Sequence, residues 1–171
     1  MIDIYKWAKK HEVKPGVLAI KSSAMLDLKA SGKWLKRLKV NTLVEIGTCY
    51  GLSAAYFAQY VNMVHTFDVA DFQGRDELWK KLEVVDKIHF HLVKDRQHIK
   101  QLLKNIDFDF AFIDASHLVK DVMSDWKLTK KCGRVLFHDV DEIRYPDNYK
   151  FLHRIGGRII YNNTGYWKEI K

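Results

Sequence analysis

The chain has 171 residues, 47% of them hydrophobic and 29% charged, with only two prolines, a composition that supports one packed core and excludes a disordered chain. No apolar run approaches the ~20 residues of a membrane span, and the opening MIDIYKWAKKHEVK lacks the apolar centre of a signal peptide. Cys49 and Cys132 stand far apart without CxxC spacing, which argues against a disulfide framework or a cysteine zinc site and for reduced, packed thiols. The expectation is a single cytoplasmic domain over residues 1–171, without a membrane segment. Its 29 Lys and Arg against 21 Asp and Glu, net +8, point to an anionic partner or a solvated basic surface.

Residues 1–40 read as one or two helices ahead of the sheet, with Lys14-Pro15-Gly16 as a turn between them. The densest basic stretch, KASGKWLKRLK at 29–39, interleaves Lys and Arg with Trp34, Leu35 and Leu38 at helical spacing, the pattern of a solvated helix face rather than a nucleic-acid patch. Six β-branched or aromatic runs follow, at 41–47, 63–69, 87–93, 108–114, 133–139 and 156–162. Helical periodicity in SAAYFAQYV, ELWKKLEVV and LVKDVMSDWKLTKK separates several of them. Such alternation predicts an α/β fold with a mostly parallel sheet covered on both faces. The rhythm breaks at RIIYNNTGYWKEI, where two short runs around Asn-Asn-Thr-Gly predict a β-hairpin with an antiparallel last strand.

Ligands of an open parallel sheet bind beyond the carboxyl ends of its strands. The first strand ends in EIGTCYGLS, where Gly47 and Gly51 flank a tight turn into a helix whose unpaired N–H groups face outward. The second ends at Asp68, 21 residues after Gly47, a spacing that suits a carboxylate holding ribose hydroxyls. The loop is G-x-x-x-G, with Cys49 where a dinucleotide fingerprint needs its second glycine, so NAD is disfavoured. Glu45 lies inside an apolar strand and requires a cationic or hydrogen-bonding neighbour. The fourth run, FDFAFIDASHLVKD, delivers Asp114 and His117 to a strand tip that has no packing use for them. Capping the following helix is the plain alternative for each. With His138-Asp139 at the end of the adjacent strand, Asp114 would share a point with two more ligand-type side chains, an arrangement suited to a divalent metal. His65, His89 and His91 read as structural histidines, His98 and His153 as surface residues, and Asp125 and Trp126 as packing and salt-bridging groups.

The residues E-I-G-T-x-x-G, with Asp68 closing the second strand, resemble the class I S-adenosylmethionine-dependent methyltransferases over roughly Gly16 to Lys171. The resemblance implies a Rossmann-like, doubly wound seven-stranded sheet with a C-terminal antiparallel hairpin. It places Glu45, Gly47 and Gly51 around the methionine part of the cofactor, with Thr48, Tyr50 and Ser53 in the same loop. Asp68 would hold the ribose with Val69 beside it, and Asp95 and Arg96 would lie near the adenine. Within that family FIDASHLVKDVMSDW and KKCGRVLFHDV are most similar to small-molecule O-methyltransferases with a D-x-x-H pattern, matching at Asp114, His117, Asp125, Gly133 and Asp139. They depart at Cys132, where glycine is usual, and at Leu118-Val119, where Ser-Tyr is common.

The resemblance also implies chemistry. Asp114, which also borders the cofactor, His138 and Asp139 become candidate ligands of a divalent metal that acidifies an acceptor hydroxyl. His117, one helical turn from Asp114, becomes the candidate general base, histidine being the side chain that exchanges protons nearest neutral pH. Magnesium prefers oxygen ligands and imidazole suits transition metals, so His138 is either a ligand to the latter or a second acid or base. The expected reaction is methyl transfer to a hydroxyl of a small molecule, such as a sugar or phenol. A nucleic-acid methyltransferase fits the charge, but the chain carries no appended binding domain and no N-P-P-Y type motif. A non-catalytic binding subunit on the same fold is the third reading. The short loop around Arg144-Tyr145-Pro146 leaves the acceptor side open, which is compatible with a homo-oligomer.

Overall fold

The computed structural model describes residues 31, 32, 34–161 and 163–169; the turn expected at Lys14-Pro15-Gly16 lies outside the described residues. Residues 31, 32 and 34–38 are helical. Leu35 is fully buried there, and Trp34 packs edge-on against Phe110 and Tyr166, with ring centroids 5.9 and 4.3 Å away. Lys36 and Arg37 on the helix and Lys39 just after it face solvent, so the described part of the basic stretch is the solvated helix face its spacing predicts.

Strand and helix then alternate: β1 (Thr42–Ile46), α1 (Leu52–Phe57), β2 (Met63–Asp68), α2 (Arg75–Lys81), β3 (Ile88–Leu92), α3 (Arg96–Leu102), β4 (Phe110–Ile113), α4 (Val119–Thr129), β5 (Arg134–Phe137), α5 (Pro146–Arg154), β6 (Arg158–Tyr161) and β7 (Thr164–Lys168). The strands form one seven-stranded sheet in the order β3-β2-β1-β4-β5-β7-β6. The first five are parallel, and β7 is antiparallel to both β5 and β6. The hairpin of the sequence is therefore present, but its second strand wedges between the first and β5. The α/β class, the parallel half and the antiparallel hairpin stand as expected.

The strands are apolar on both sides because the sheet is covered on both sides. Leu43, Phe57, Val64, Leu78, Phe110 and Phe112 belong to one buried cluster, and Val44, Ile46, Phe67, Ile113, Val135 and Phe137 to the other. Each fully buried Phe or Leu removes enough apolar surface to contribute about 1.5–3 kcal/mol. The helix after β1 is shorter than the periodicity of SAAYFAQYV predicts. It stops at Phe57 because the chain must turn, with Asn62 N and Met63 N both donating to Asn41 O, to start β2 beside β1. No helix among the described residues is long and apolar enough to cross a membrane.

His65, His89 and His91 meet on one face of β2 and β3. The ring of His65 stacks on both others, at 5.0 and 5.3 Å, and its Nδ1 lies 3.0 Å from His91 Nε2. Burial, reinforced by the charges of His91 and His89, pushes the His65 imidazole down to about 4. The three histidines thus partner one another on a partly exposed face of the sheet, as structural rather than ligand residues. Asp125 is fully buried and accepts from Arg96 Nε at 2.6 Å, a salt bridge between α4 and α3.

Candidate active site at the carboxyl edge of the sheet

The chain leaves β1 toward β2 and returns beside it as β4, so the crevice between the carboxyl ends of β1 and β4 is the topological switch point where such sheets bind ligands. Gly47 and Asp114 stand on its two sides, joined to neighbouring strands by Gly47 N→Phe67 O and Asp114 N→Ile46 O, both 2.9 Å.

The loop glycines have a packing reason of their own. Gly47 has φ +106°, and a Cβ there would collide with the backbone of Asp114 and Ala115. Gly51 has φ +70°, and its Cβ would meet the side chains of Arg75 and Trp79, while its carbonyl accepts from Trp79 Nε1 at 2.9 Å. The two glycines thus let strand tips and helices close on one another. The Asp68 carboxylate pins the same loop through Oδ2, which accepts from Cys49 N at 2.8 Å, and its own turn after β2 through Oδ1, which accepts from Ala70 N at 3.0 Å. Cys49 itself is exposed, with φ +47°, so the packed-thiol expectation holds for half-buried Cys132 and fails for Cys49. Tyr50 leans on Phe72 at 4.9 Å, and Val69 and Leu92 leave 68% and 54% of their surface in solvent at the tips of β2 and β3.

Glu45 is the partner-seeking carboxyl the sequence implied. It is fully buried, its Oε2 accepts from Thr66 Oγ1, and Thr66 Oγ1 lies 2.6 Å from Thr48 Oγ1. Burial pushes it up to about 8; hydrogen bonds from Ser53 and Thr66 pull it partly back, and the charges of Asp114 and Asp68 push it further up. Its folded value therefore lies above its unfolded one. The stability this contributes is fully present below the ordinary carboxylate range and is lost as pH rises through about 8. Glu45→Gln is thus expected to gain stability relative to the parent between pH 5 and pH 8.5. Urea unfolding at both values measures this, and an unchanged difference would refute the buried neutral acid.

Asp95 caps α3, its Oδ1 accepting from His98 N at 2.8 Å, and Arg96 turns to α4, with Asp121 at 3.2 Å and Asp125 at 2.6 Å. Asp95 thus sits at the carboxyl edge after β3, whereas the Arg96 guanidinium is committed away from it.

The second cluster gathers as its sequence positions predict. His138 Nδ1 lies 3.1 Å from Asp114 Oδ1 and 3.2 Å from Asp139 Oδ1, and His117 Nδ1 lies 2.7 Å from Asp139 Oδ2. Asp114, His138 and Asp139 form the one group among the described residues whose ligand-type atoms all fall within 4.8 Å of each other. His117 is not on a helix, as its spacing from Asp114 suggested. It sits in the loop before Leu118, the N-cap of α4, with 66% of its side chain exposed and its ring stacked on Tyr145 at 5.1 Å. Neither Asp114 nor His117 caps that helix; Ser116 ties the loop to Asp121 at 2.9 Å.

Asp139 is held from all sides. It is buried with φ +56°, a conformation that costs a non-glycine residue energy and needs surrounding contacts to persist. Asn163 Nδ2 donates to its Oδ1 at 3.1 Å and Asn148 Nδ2 to its carbonyl at 3.0 Å. Burial alone would raise its carboxyl, but hydrogen bonding to His138 and His117 and their charges outweigh it and hold the group low. Tyr145 lies in the loop that the sequence placed on the acceptor side, but its contact with His117, like the roles of Asn148 and Asn163, escaped the sequence reading. Each acts through a contact distant along the chain, and only the turn-forming Asn-Asn pair carried any local signal.

Comparison with known proteins places this geometry. A family model described as a methyltransferase domain matches residues 44–140, more than half of the chain and all of the strand tips above. No curated protein matches the sequence. Among solved structures, a Podospora anserina methyltransferase bound to S-adenosylhomocysteine aligns over 96% of this chain and 86% of its own, at 18% identity and a TM-score of 0.69. An O-methyltransferase from Bacillus cereus, also with that product, covers 97% of both chains at 16% identity and a TM-score of 0.62. A TDP-rhamnose 3'-O-methyltransferase of calicheamicin biosynthesis covers 97% of this chain and 91% of its own at 15% identity and a TM-score of 0.67. At these identities the likeness is one of fold. With the family matched across its cofactor half and its sheet in the order 3-2-1-4-5-7-6, the chain belongs to the methyltransferase-domain family and is a class I S-adenosylmethionine-dependent methyltransferase.

Proposed function

We propose that the chain transfers the methyl group of S-adenosylmethionine to a hydroxyl of a small molecule, with His117 as the general base. The observation that carries this reading is the 2.7 Å contact between His117 Nδ1 and Asp139 Oδ2. A buried carboxylate on one ring nitrogen orients the imidazole and stabilises its protonated form. Nε2, without a partner among the described residues, then takes the hydroxyl proton as the oxygen attacks. Bound S-adenosylmethionine supplies a methyl already activated on a sulfonium sulfur, which leaves as a neutral thioether.

The strand tips support a place for the cofactor. Glu45 and the Gly47–Gly51 loop, with Thr48, Tyr50 and Ser53, would receive the methionine part. Asp68 would hold the ribose, its oxygens each keeping a lone pair beyond the loop N–H they accept. The exposed Val69 and Leu92 would cover the adenine faces, near Asp95. The exposed apolar side chains fit a ligand that is flat and apolar at one end.

A metal-assisted form is the second reading, favoured by one observation. Neighbouring vertices of an octahedron with bonds of about 2.1 Å lie about 3.0 Å apart, close to the separations of His138 Nδ1 from Asp114 Oδ1 and Asp139 Oδ1. Asp114, His138 and Asp139 would hold the ion, and the imidazole favours a transition metal over magnesium. Such an ion would acidify the acceptor hydroxyl.

Incubation with S-adenosylmethionine and a panel of phenols and sugars, read by mass spectrometry, is expected to give O-methyl products. Exclusive N- or C-methylation, or transfer to nucleic acid alone, would overturn the reading. Repeating the assay after exhaustive EDTA dialysis separates the two forms: retained turnover supports His117 alone, and loss restored by Mn2+ or Co2+ supports the ion.

A further inference from the structure

We propose that Asn148 is a positioning residue that holds His117 against Asp139; the inference rests on the reading of His117 as the base. His117 belongs to a loop outside any helix and is two-thirds exposed, so its backbone needs an external tether to keep a 2.7 Å side-chain contact. Asn148, on the first turn of α5 and 1% exposed, provides one. Its Nδ2 donates to His117 O at 3.2 Å and to Asp139 O at 3.0 Å. One carboxamide thereby fixes the separation of the two loops whose side chains form the pair. Because both partners are carbonyl acceptors, only the NH2 group can face them, and the orientation of the amide follows from chemistry.

Two further features separate this role from ordinary packing. Asn148 Oδ1 is buried with no hydrogen-bond partner among the described residues, a state that costs free energy and that an apolar side chain of similar size would avoid. The residue is therefore destabilising on one side of its amide and useful on the other. Asp139 in addition holds φ +56° at the point where Asn148 grips its carbonyl, so loss of the grip frees a backbone that has no intrinsic reason to stay there. Asn163 fixes the other side of the same residue, occupying Oδ1 and leaving Oδ2 to His117.

The test uses the full chain labelled with 15N-histidine in EDTA-treated buffer, with the His117 ring nitrogens assigned by their disappearance in His117→Gln. In the parent, Asp139 accepts from Nδ1, so the Nδ1–H tautomer dominates. In Asn148→Ala and Asn148→Asp its population is expected to fall at least about two-fold, toward that of a free imidazole, while S-adenosylhomocysteine affinity by calorimetry stays within about two-fold. An unchanged tautomer ratio in either folded variant overturns the proposal. Should neither variant fold, the parent itself decides: both Asn148 side-chain protons must exchange with solvent at least about a hundredfold more slowly than a free amide, and free exchange overturns it. Turnover of His117→Ala is a separate measurement, so loss of the base reading and loss of the tether are told apart.

Discussion

Replacing His117 by alanine is expected to lower turnover about a hundredfold or more, equivalent to about 2.7 kcal/mol of transition-state stabilisation, with S-adenosylmethionine affinity within a few-fold of the parent. The separation follows from where the residue stands. His117 contacts Asp139 and Tyr145 beyond β4 and β5, whereas Glu45, the Gly47–Gly51 loop and Asp68 form a connected set around β1 and β2. With 66% of the side chain exposed, its truncation leaves no cavity, and the melting temperature should hardly move. A turnover within threefold of the parent would remove His117 from the chemistry.

Gly47→Ala is expected to act through the fold. The position combines φ +106° with a Cβ site already filled by the backbone of Asp114 and Ala115. No flexible side chain can yield there; either the β1 tip or the loop after β4 must move. A cost of at least about 3 kcal/mol combines the strain of a left-handed alanine with the clash, and at this chain length it lowers the melting temperature by roughly 6–12 °C. Both cofactor affinity and turnover should fall together, because Gly47 and Asp114 flank the same crevice. A melting temperature within 2 °C of the parent in calorimetry would show that the loop relaxes freely.

The strands were legible because a parallel sheet buried on both faces writes continuous apolar runs. The run at 41–47 became Thr42–Ile46, and that at 63–69 became Met63–Asp68. The residues at the strand tips were legible for a related reason, since a polar residue ending such a run has left the core, as at Asp68, Asp114 and Asp139. What stayed hidden depends on contacts with no local pattern. Asn148 reaches His117 across 31 positions and Asn163 reaches Asp139 across 24, and neither spacing has a period to detect. Regular spacing also misled at His117: three residues past Asp114 looks like one helical turn, but α4 begins only at Val119. The loop glycines fitted a ligand-approach reading, and only three dimensions reveal the strand tip and side chains that press on them.

The insertion of β7 between β5 and β6 lets the two halves of the site be uncoupled. The residues proposed for the cofactor lie on β1 to β4 and their loops, and these strands pair among themselves without the hairpin. Asp139, by contrast, gains its Asn163 contact only where Thr164–Lys168 docks antiparallel on Arg134–Phe137. A variant that loosens this docking should therefore lose methyl transfer while it still binds S-adenosylmethionine.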